Sequence, residues 1–370
     1  MITRLYVNNF RCLLAFEAKF EPFGLLCGPN GAGKSSVFDA LILVRDLATG
    51  EGELGGGGAR DIPSLDFTAW NASTIQEFEL SVTAEGHEFE YLLHMEQVSP
   101  EVKPRIIRER ATCDNRELYD RNLDGVRLVK SSGIQSGYPL DWRQAALGSI
   151  QAVGERRDIG ILQAALAKLL ILRPNPHGIE RESKSETQFP SLHLENLLSW
   201  YRFLSQEQDW TDVLRESLQE VWPDFKSFRL VNVGRNVKAL QLRFGGLSDK
   251  ATINLYFDQL SDGEKALVGL YMVRAALATG AAQTILLDEP DNYVGLPELQ
   301  PWVLSLREQL DQDHQAILIS HHPEILENVN EESGRYLWRD NHFSPTRIEP
   351  LKVPEGMRAG EAIARGWIRA

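Results

Sequence analysis

The chain has 370 residues, 43% of them apolar, and a formal net charge of −13. That is apolar material enough for one large or two modest cores, and no run approaches the ~18 consecutive apolar residues that would span a bilayer. The acidic balance excludes a surface coated in phosphate-binding cations, while a local basic patch stays open.

The first residues carry neither a signal-peptide apolar stretch nor a cleavage site, so a cytoplasmic protein is expected. Cys12, Cys27 and Cys113 are odd in number and lack C-x-x-C spacing. Neither a disulfide framework nor a zinc site is signalled, and three buried thiols are expected.

Taken in chain order, "RLYVNNF", "LLAFEAKF" and "GLLC" predict three strands, the last two separated by Pro22 and Gly24. "GPNGAGKS", Gly28 to Ser35, follows the third strand. Behind it Val37, Ala40, Leu41, Val44 and Leu47 recur at helical spacing, so the segment joins a strand to a helix N-terminus. Gly50 to Arg60 reads as a flexible loop, and "IQEFELSVTAEGHEFEYLLHMEQV" as a hairpin turning at Glu85-Gly86.

The densest basic stretch holds Lys103, Arg105, Arg108, Arg110 and Arg116 on a predicted strand and turn; a solvated mixed-charge face is the expectation there. From Asp141 to Val221 the pattern turns helical, through "DIGILQAALAKLLIL" and then a longer segment read as two helices. Pro223 ends it, and "KALQLRF" and "ATINLYF" predict strands.

Four segments carry chemistry. In the first, Gly28, Gly31 and Gly33 let the backbone turn tightly, so that amides of Asn30, Gly31, Ala32, Gly33 and Ser36 can face phosphates. Lys34 supplies charge near the terminal phosphates, and the Ser35 hydroxyl is a magnesium ligand. In the second, "QTILLDEPD" is an apolar strand ending in two carboxylates: Asp288 to hold magnesium through water, Glu289 to orient or deprotonate the attacking water. In the third, "AILISHHPEIL" ends a strand on Ser320, His321 and His322; His321 is placed to bond a terminal phosphate, and His322 reads as its neighbour or as a helix cap. In the fourth, "QLSDGEKALVGLYMV", Ser261 and Gly263 open a helix whose apolar stripe is Ala266, Leu267, Leu270 and Val273.

In this order the four segments resemble the ATP-binding-cassette (ABC) ATPases: Walker A at Gly28 to Ser35, signature at Leu260 to Lys265, Walker B at Ile285 to Glu289, and a switch histidine, His321. The opening Asn9-Phe10-Arg11 before the loop is similar to the RecF, structural-maintenance-of-chromosomes (SMC) and overcoming-lysogenization-defect (OLD) group, and "LSDGEK", "DEPDNYVGLPEL" and "SHHPEIL" look most like its OLD-like branch.

The resemblance implies an α/β ABC-ATPase head with a P-loop core sheet, an N-terminal antiparallel β subdomain and a helical lobe. Portions at 1–140, 141–250 and 251–370 are expected to carry the β and P-loop part, the helical lobe with connecting strands, and the signature, Walker B and histidine part. It also implies ATP and Mg²⁺ as cofactors and a nucleotide contact at Arg11. ATP would be sandwiched in a homodimer, with Lys34, Glu289 and His321 sharing catalysis and Ser261 and Gly263 of one head closing on the nucleotide of the other.

The segment between Walker A and the signature lacks sustained heptads, so a compact head is expected. No second carboxylate cluster of the Toprim kind follows "SHHPEIL", so a nuclease would be a separate effector. Gly295 takes the position where relatives carry an Asp or His that signals across the dimer. The implied role is a switch in anti-phage defence or DNA repair, with DNA as a possible partner and no membrane. A transporter motor subunit and an ATP-binding scaffold with little turnover share the same head and are the alternatives.

Overall fold

The computed structural model describes residues 1–56, 60–129, 135–245, 252–327, 333–354, 356–364 and 368. The chain divides into two compact units, Met1–Leu169 with Asn330–Lys352, and Leu170–Val329 with Val353–Ala370.

In the first unit an eight-stranded antiparallel sheet runs in the order Gln135–Tyr138, Gly125–Val129, Arg116–Asn122, Arg105–Cys113, His87–Glu96, Ile75–Ala84, Ile2–Asn8, Phe16–Lys19. Alternation drives it: Phe78, Leu80 and Val82 point inward on one strand and Phe89, Tyr91, Leu93 and Met95 on the next, all at most 4% exposed. The hairpin turns where expected, with Glu85 and Gly86 both at positive φ, 49° and 77°. The strand Phe23–Cys27 pairs in parallel with Gly334–Trp338, which pairs antiparallel with Arg347–Pro350. After it the helix Lys34–Ala48 buries Val37, Phe38, Leu41, Val44 and Leu47 almost completely.

Two local expectations are corrected. Glu53–Leu54 pairs in parallel with Asp61–Ile62, so the glycine-rich stretch is clasped at both ends; its residues 57–59 lie outside the described residues. "DIGILQAALAKLLIL" is a helix only over Arg157–Ala167, and Leu169–Leu172 is a strand buried on both faces. Four consecutive apolar residues satisfy helix and buried-strand patterns equally, and here the fully buried sheet position wins.

In the second unit Leu169–Leu172 lies beside Thr284–Asp288, itself parallel to Gln315–Ile319. A three-stranded antiparallel sheet, Phe225–Gly234, Val237–Gly245 and Thr252–Tyr256, stands apart; its first strand escaped the sequence reading because only Phe225 of it is buried, so no inward-outward alternation marks it. The helices Leu197–Leu204 and Gln208–Val221 confirm the two-helix expectation. Trp200, Trp210 and Trp302 are each at most 2% exposed, and the Trp302 indole donates to Leu270 O at 3.2 Å. The helix Asp262–Ala278 is buried on more than the expected stripe: Val268, Tyr271 and Met272 are fully buried too, which makes it a central helix rather than an amphipathic one.

Candidate nucleotide site

In the first unit the strand Phe23–Cys27 delivers the chain into a turn that only glycine can make at two points. Gly28 has φ 139°, and a Cβ there would stand 2.0 Å from Leu337 O; at Gly33, φ 98°, it would stand 2.4 Å from Thr346 Oγ1 and 2.7 Å from Cys12 Sγ. The loop is therefore seated against Gly334–Trp338 and the Thr346 turn, with the Thr346 hydroxyl donating to Ala32 O at 2.8 Å.

Ala32 is buried, while Asn30, Gly31 and Ser35 are exposed and Ser36 is half-buried. Lys34 is 6% exposed, and its Nζ donates to Gly28 O at 2.9 Å and Pro29 O at 3.1 Å. The ammonium is thus held over the loop, at the start of a fifteen-residue helix whose dipole favours anions. Such a cradle of turned backbone and an in-turned lysine, beside the exposed Ser35, fits a nucleotide phosphate chain.

Arg11 sits beside this helix. Its guanidinium pairs with Asp39, one turn beyond Ser35, and with Asp66 at 3.0 Å, and it lies 5.2 Å from the Phe10 ring centre. Its charge is already met by two carboxylates. A second arginine, Arg339, donates to Gly31 O at 3.4 Å and lies 5.2 Å over the Trp70 ring; nothing in the sequence marked it.

In the second unit Asp288 ends its strand at 8% exposure, with Arg173 Nε donating to Oδ2 at 2.8 Å. Glu289 continues the parallel pairing through its amide, which donates to Ile319 O at 2.8 Å, but at φ 51°. A non-glycine residue held left-handed is strained backbone of the sort found where a side chain must be aimed. Asn292 Nδ2 donates to Glu289 Oε2 at 2.8 Å.

Asp291, two residues on, has its carboxyl pushed up by burial, with a Ser320 hydrogen bond pulling the other way, and its Oδ1 is buried without a partner. An oxygen of that kind beside Asp288 and Glu289 is what a site for a cation or ordered water offers. Ser320 is fully buried and its Oγ accepts the His322 amide at 2.9 Å; His322 O accepts the Ile325 and Leu326 amides, as a helix-cap residue does, and His321 is exposed.

The signature segment belongs to the same unit. Ser261 caps the helix Asp262–Ala278. A Cβ on Gly263 would meet Tyr293 O at 2.9 Å, so the turn after Walker B presses on the signature. Gly295 caps the next helix, Leu296–Glu308. Sequence reasoning missed Arg173, which lies 115 residues from its carboxylate and so leaves no local spacing to detect, and it gave no role to Asp291 or to Asn292, three residues from its partner Glu289.

All three thiols are buried, and burial raises Cys27 to about 12 and Cys113 to about 11. One group of His87, Cys113 and Asp114 has its ligand atoms within 4.8 Å, but Asp114 is already taken by His87 Nδ1 at 2.7 Å and by the Glu88 amide at 2.9 Å, a clasp across the ends of two strands. No helix among the described residues is long and apolar enough to cross a membrane.

A phosphate loop in one unit, and a carboxylate-ended strand with a capped signature helix in the other, define an ABC-type ATPase of the RecF, SMC and OLD group. Residues 25–327 match the family described as "AAA domain, putative AbiEii toxin, Type IV TA system", and the chain belongs to that family. It is 24% identical over 365 residues to the OLD nuclease of Thermus scotoductus (strain ATCC 700910 / SA-01), covering 89% of this chain and 60% of that protein. The chain thus spans about three-fifths of the length of that relative.

Two solved structures share the fold. One is the SmcHead bound to the C-winged helix domain of ScpA, with TM-score 0.57, 16% identity, and 96% of this chain and 99% of that one covered. The other is the Smc head domain with an extended coiled coil bound to the C-terminal domain of ScpA derived from Pyrococcus furiosus, with TM-score 0.53, 14% identity, and 95% and 96% covered.

Proposed function

We propose that the protein hydrolyses ATP, and that two copies close around two nucleotides to act as a switch over an effector nuclease or a DNA-sensing step in anti-phage defence or DNA repair. The observation that carries this is the pair of ready-made halves. Lys34 and the glycine turn form an anion cradle, while Asp288, Glu289 and the capped Ser261 form a charged and a neutral face for the same chemistry.

In this reading the amides of Asn30 to Ser36 bind the phosphates, and Lys34 leaves its two carbonyls for the terminal phosphate oxygens. Ser35 and, through water, Asp288 would hold magnesium, which when bound would neutralise charge on the phosphate chain. Glu289, aimed by its strained backbone and by Asn292, orients the attacking water and takes its proton; His321 and the partner's signature serine complete the donors around the developing charge. In this reading the ATPase head controls a nuclease-like effector, nuclease being the activity in the printed name of its OLD relative. The bound nucleotide, and not the membrane, is taken as the organising partner.

The test is the solution mass of Glu289→Gln with and without magnesium-ATP, repeated with duplex DNA. A shift from monomer to dimer that needs ATP, with hydrolysis down on the order of a hundredfold, is the expected result. A mass indifferent to ATP removes the switch.

A further inference from the structure

The segment from Arg173 to Gly178 touches both chemical elements of the second unit. At its start Arg173 Nε donates to Asp288 Oδ2 at 2.8 Å, in a pair whose side chains are 26% and 7% exposed. Four residues later His177 Nδ1 lies 3.3 Å from Asp262 Oδ2, in the first turn of the signature helix, and its ring meets Tyr293 edge-on at 5.5 Å and 84°.

The segment between these ends is stiff. The Arg173 amide donates to Leu192 O at 2.7 Å, and the Asn175 amide to His193 O at 3.2 Å; His193 Nδ1 bonds Arg173 O at 2.9 Å. The Asn175 side chain accepts the His177 amide at 3.2 Å, and Pro176 fixes the next φ. A short, doubly zipped strut therefore has the Walker B carboxylate at one end and the signature at the other.

We propose that Arg173 is a positioning residue for the magnesium carboxylate, and that the strut Arg173–Gly178 couples the placement of Asp288 to that of the signature turn. This rests on the reading of Asp288 as the residue that holds magnesium through water. Arg173 takes Oδ2, which fixes the carboxylate rotamer and leaves Oδ1 to the metal-bound water; a partner that orients a ligating group contributes to metal affinity without touching the metal. A displacement of Asp288 on metal binding pulls on Arg173, and the stiff strut passes it to His177 and Asp262. Two discrete contacts on one rigid element are the physical form such coupling takes.

The experiment uses the full chain with a non-hydrolysable ATP analogue and Mn²⁺, free Mn²⁺ being followed by electron paramagnetic resonance, alongside hydrogen exchange of residues 259–265. Arg173→Ala is expected to weaken Mn²⁺ affinity about tenfold while a fluorescent ATP analogue in excess chelator binds as in the unaltered protein. Arg173→Lys, which keeps the charge but loses the fork geometry, is expected to restore part of it. His177→Ala is expected to speed exchange at residues 261–265 with Mn²⁺ affinity unchanged, whereas Arg173→Ala changes both.

Unchanged or tighter Mn²⁺ binding in Arg173→Ala, with the unaltered protein binding nucleotide and metal normally, overturns this proposal alone. Failure of the unaltered protein to bind nucleotide overturns the ATP-site reading and this proposal with it. Arg173→Gln, close in size and still a donor, serves as the second variant should the alanine form not fold.

Discussion

The Ser261 hydroxyl donates to Glu264 Oε2 at 2.7 Å while accepting the Glu264 amide at 3.3 Å, and the Ser261 amide donates to the same carboxylate oxygen at 2.7 Å. This is a capping box closed within one chain, so the signature turn is ordered before any partner arrives and closure need not meet the cost of ordering it. It also means that one side chain serves both the helix end and, in the proposed dimer, the nucleotide of the other head.

The two roles separate by mutation. Ser261→Ala and Glu264→Ala each open the box and are expected to cost about 1 kcal/mol of stability. Only Ser261→Ala also removes the hydroxyl that reaches the other nucleotide in the proposed dimer, so its ATP turnover is expected to fall on the order of tenfold below that of Glu264→Ala. Melting curves and steady-state ATPase assays on both variants decide; equal turnover losses would reduce Ser261 to a helix cap.

The glycines of the phosphate loop are not equivalent. Gly28→Ala drives a methyl group into Leu337 O at a φ that alanine avoids, and is expected to destabilise the first unit by about 3 kcal/mol or more, whereas Gly31→Ala meets nothing within 4 Å and pays only for φ 77°, about 1 kcal/mol. Urea unfolding of the pair measures the difference. Similar losses would mean that the approach of Gly334–Trp338 to the loop is looser than the structure has it.

What could be read in advance follows from how local the signal is. The phosphate loop, the carboxylate-ended strand and the Ser261 cap are each written in fewer than twenty residues, and each sits between the elements that its periodicity predicted. Leu169–Leu172 was misread because burial on both faces erases the alternation that marks a strand. Arg173, His177 and Asp291 stayed invisible for another reason: their meaning lies in distances across the fold, and a lone arginine after a buried strand looks like any surface cation. Arg11 was marked by motif resemblance, and its pairing with Asp39 and Asp66 was not foreseeable from spacing.

The basic stretch on the strand Arg105–Cys113 bears on the DNA question. Arg105 is bonded to Glu96 at 2.6 Å, Arg108 faces Asp120 at 4.0 Å, Arg116 pairs with Asp158, and Lys103 donates to Gly55 O at 2.7 Å. Arg105 and Arg108, matched by carboxylates on neighbouring strands, and Arg116, matched by Asp158 of a helix, make a poor track for phosphates, since binding must first break those pairs. Replacing Arg105, Arg108 and Arg110 together by Gln is expected to leave duplex affinity and its salt dependence unchanged, as read by fluorescence anisotropy at two salt concentrations. A salt slope shallower by about three, one per lost phosphate contact, would instead make this strand face the DNA-binding surface.

Asp291 carries a pH signature of the site. Burial is the largest influence and pushes its carboxyl above the ordinary value of about 3.9; the Ser320 hydrogen bond opposes this, and Glu289 adds to it. The folded state therefore holds the Asp291 proton more tightly than the unfolded chain does. Below the unfolded value both states are protonated and nothing is lost; as pH rises through that value and on to the folded one, stability falls, because the unfolded chain ionises first. Asn at 291 can still bond Ser320 and never ionises. Asp291→Asn is thus expected to melt above the unaltered protein at pH 7.5 and to lose that advantage at pH 3, the increment growing through the window just above pH 4. Calorimetric melts of both proteins across that range are the check. An increment that stays constant from pH 3 to 7.5 would show that any gain comes from packing at 291, and that the buried charge next to Walker B is not what weakens the fold there.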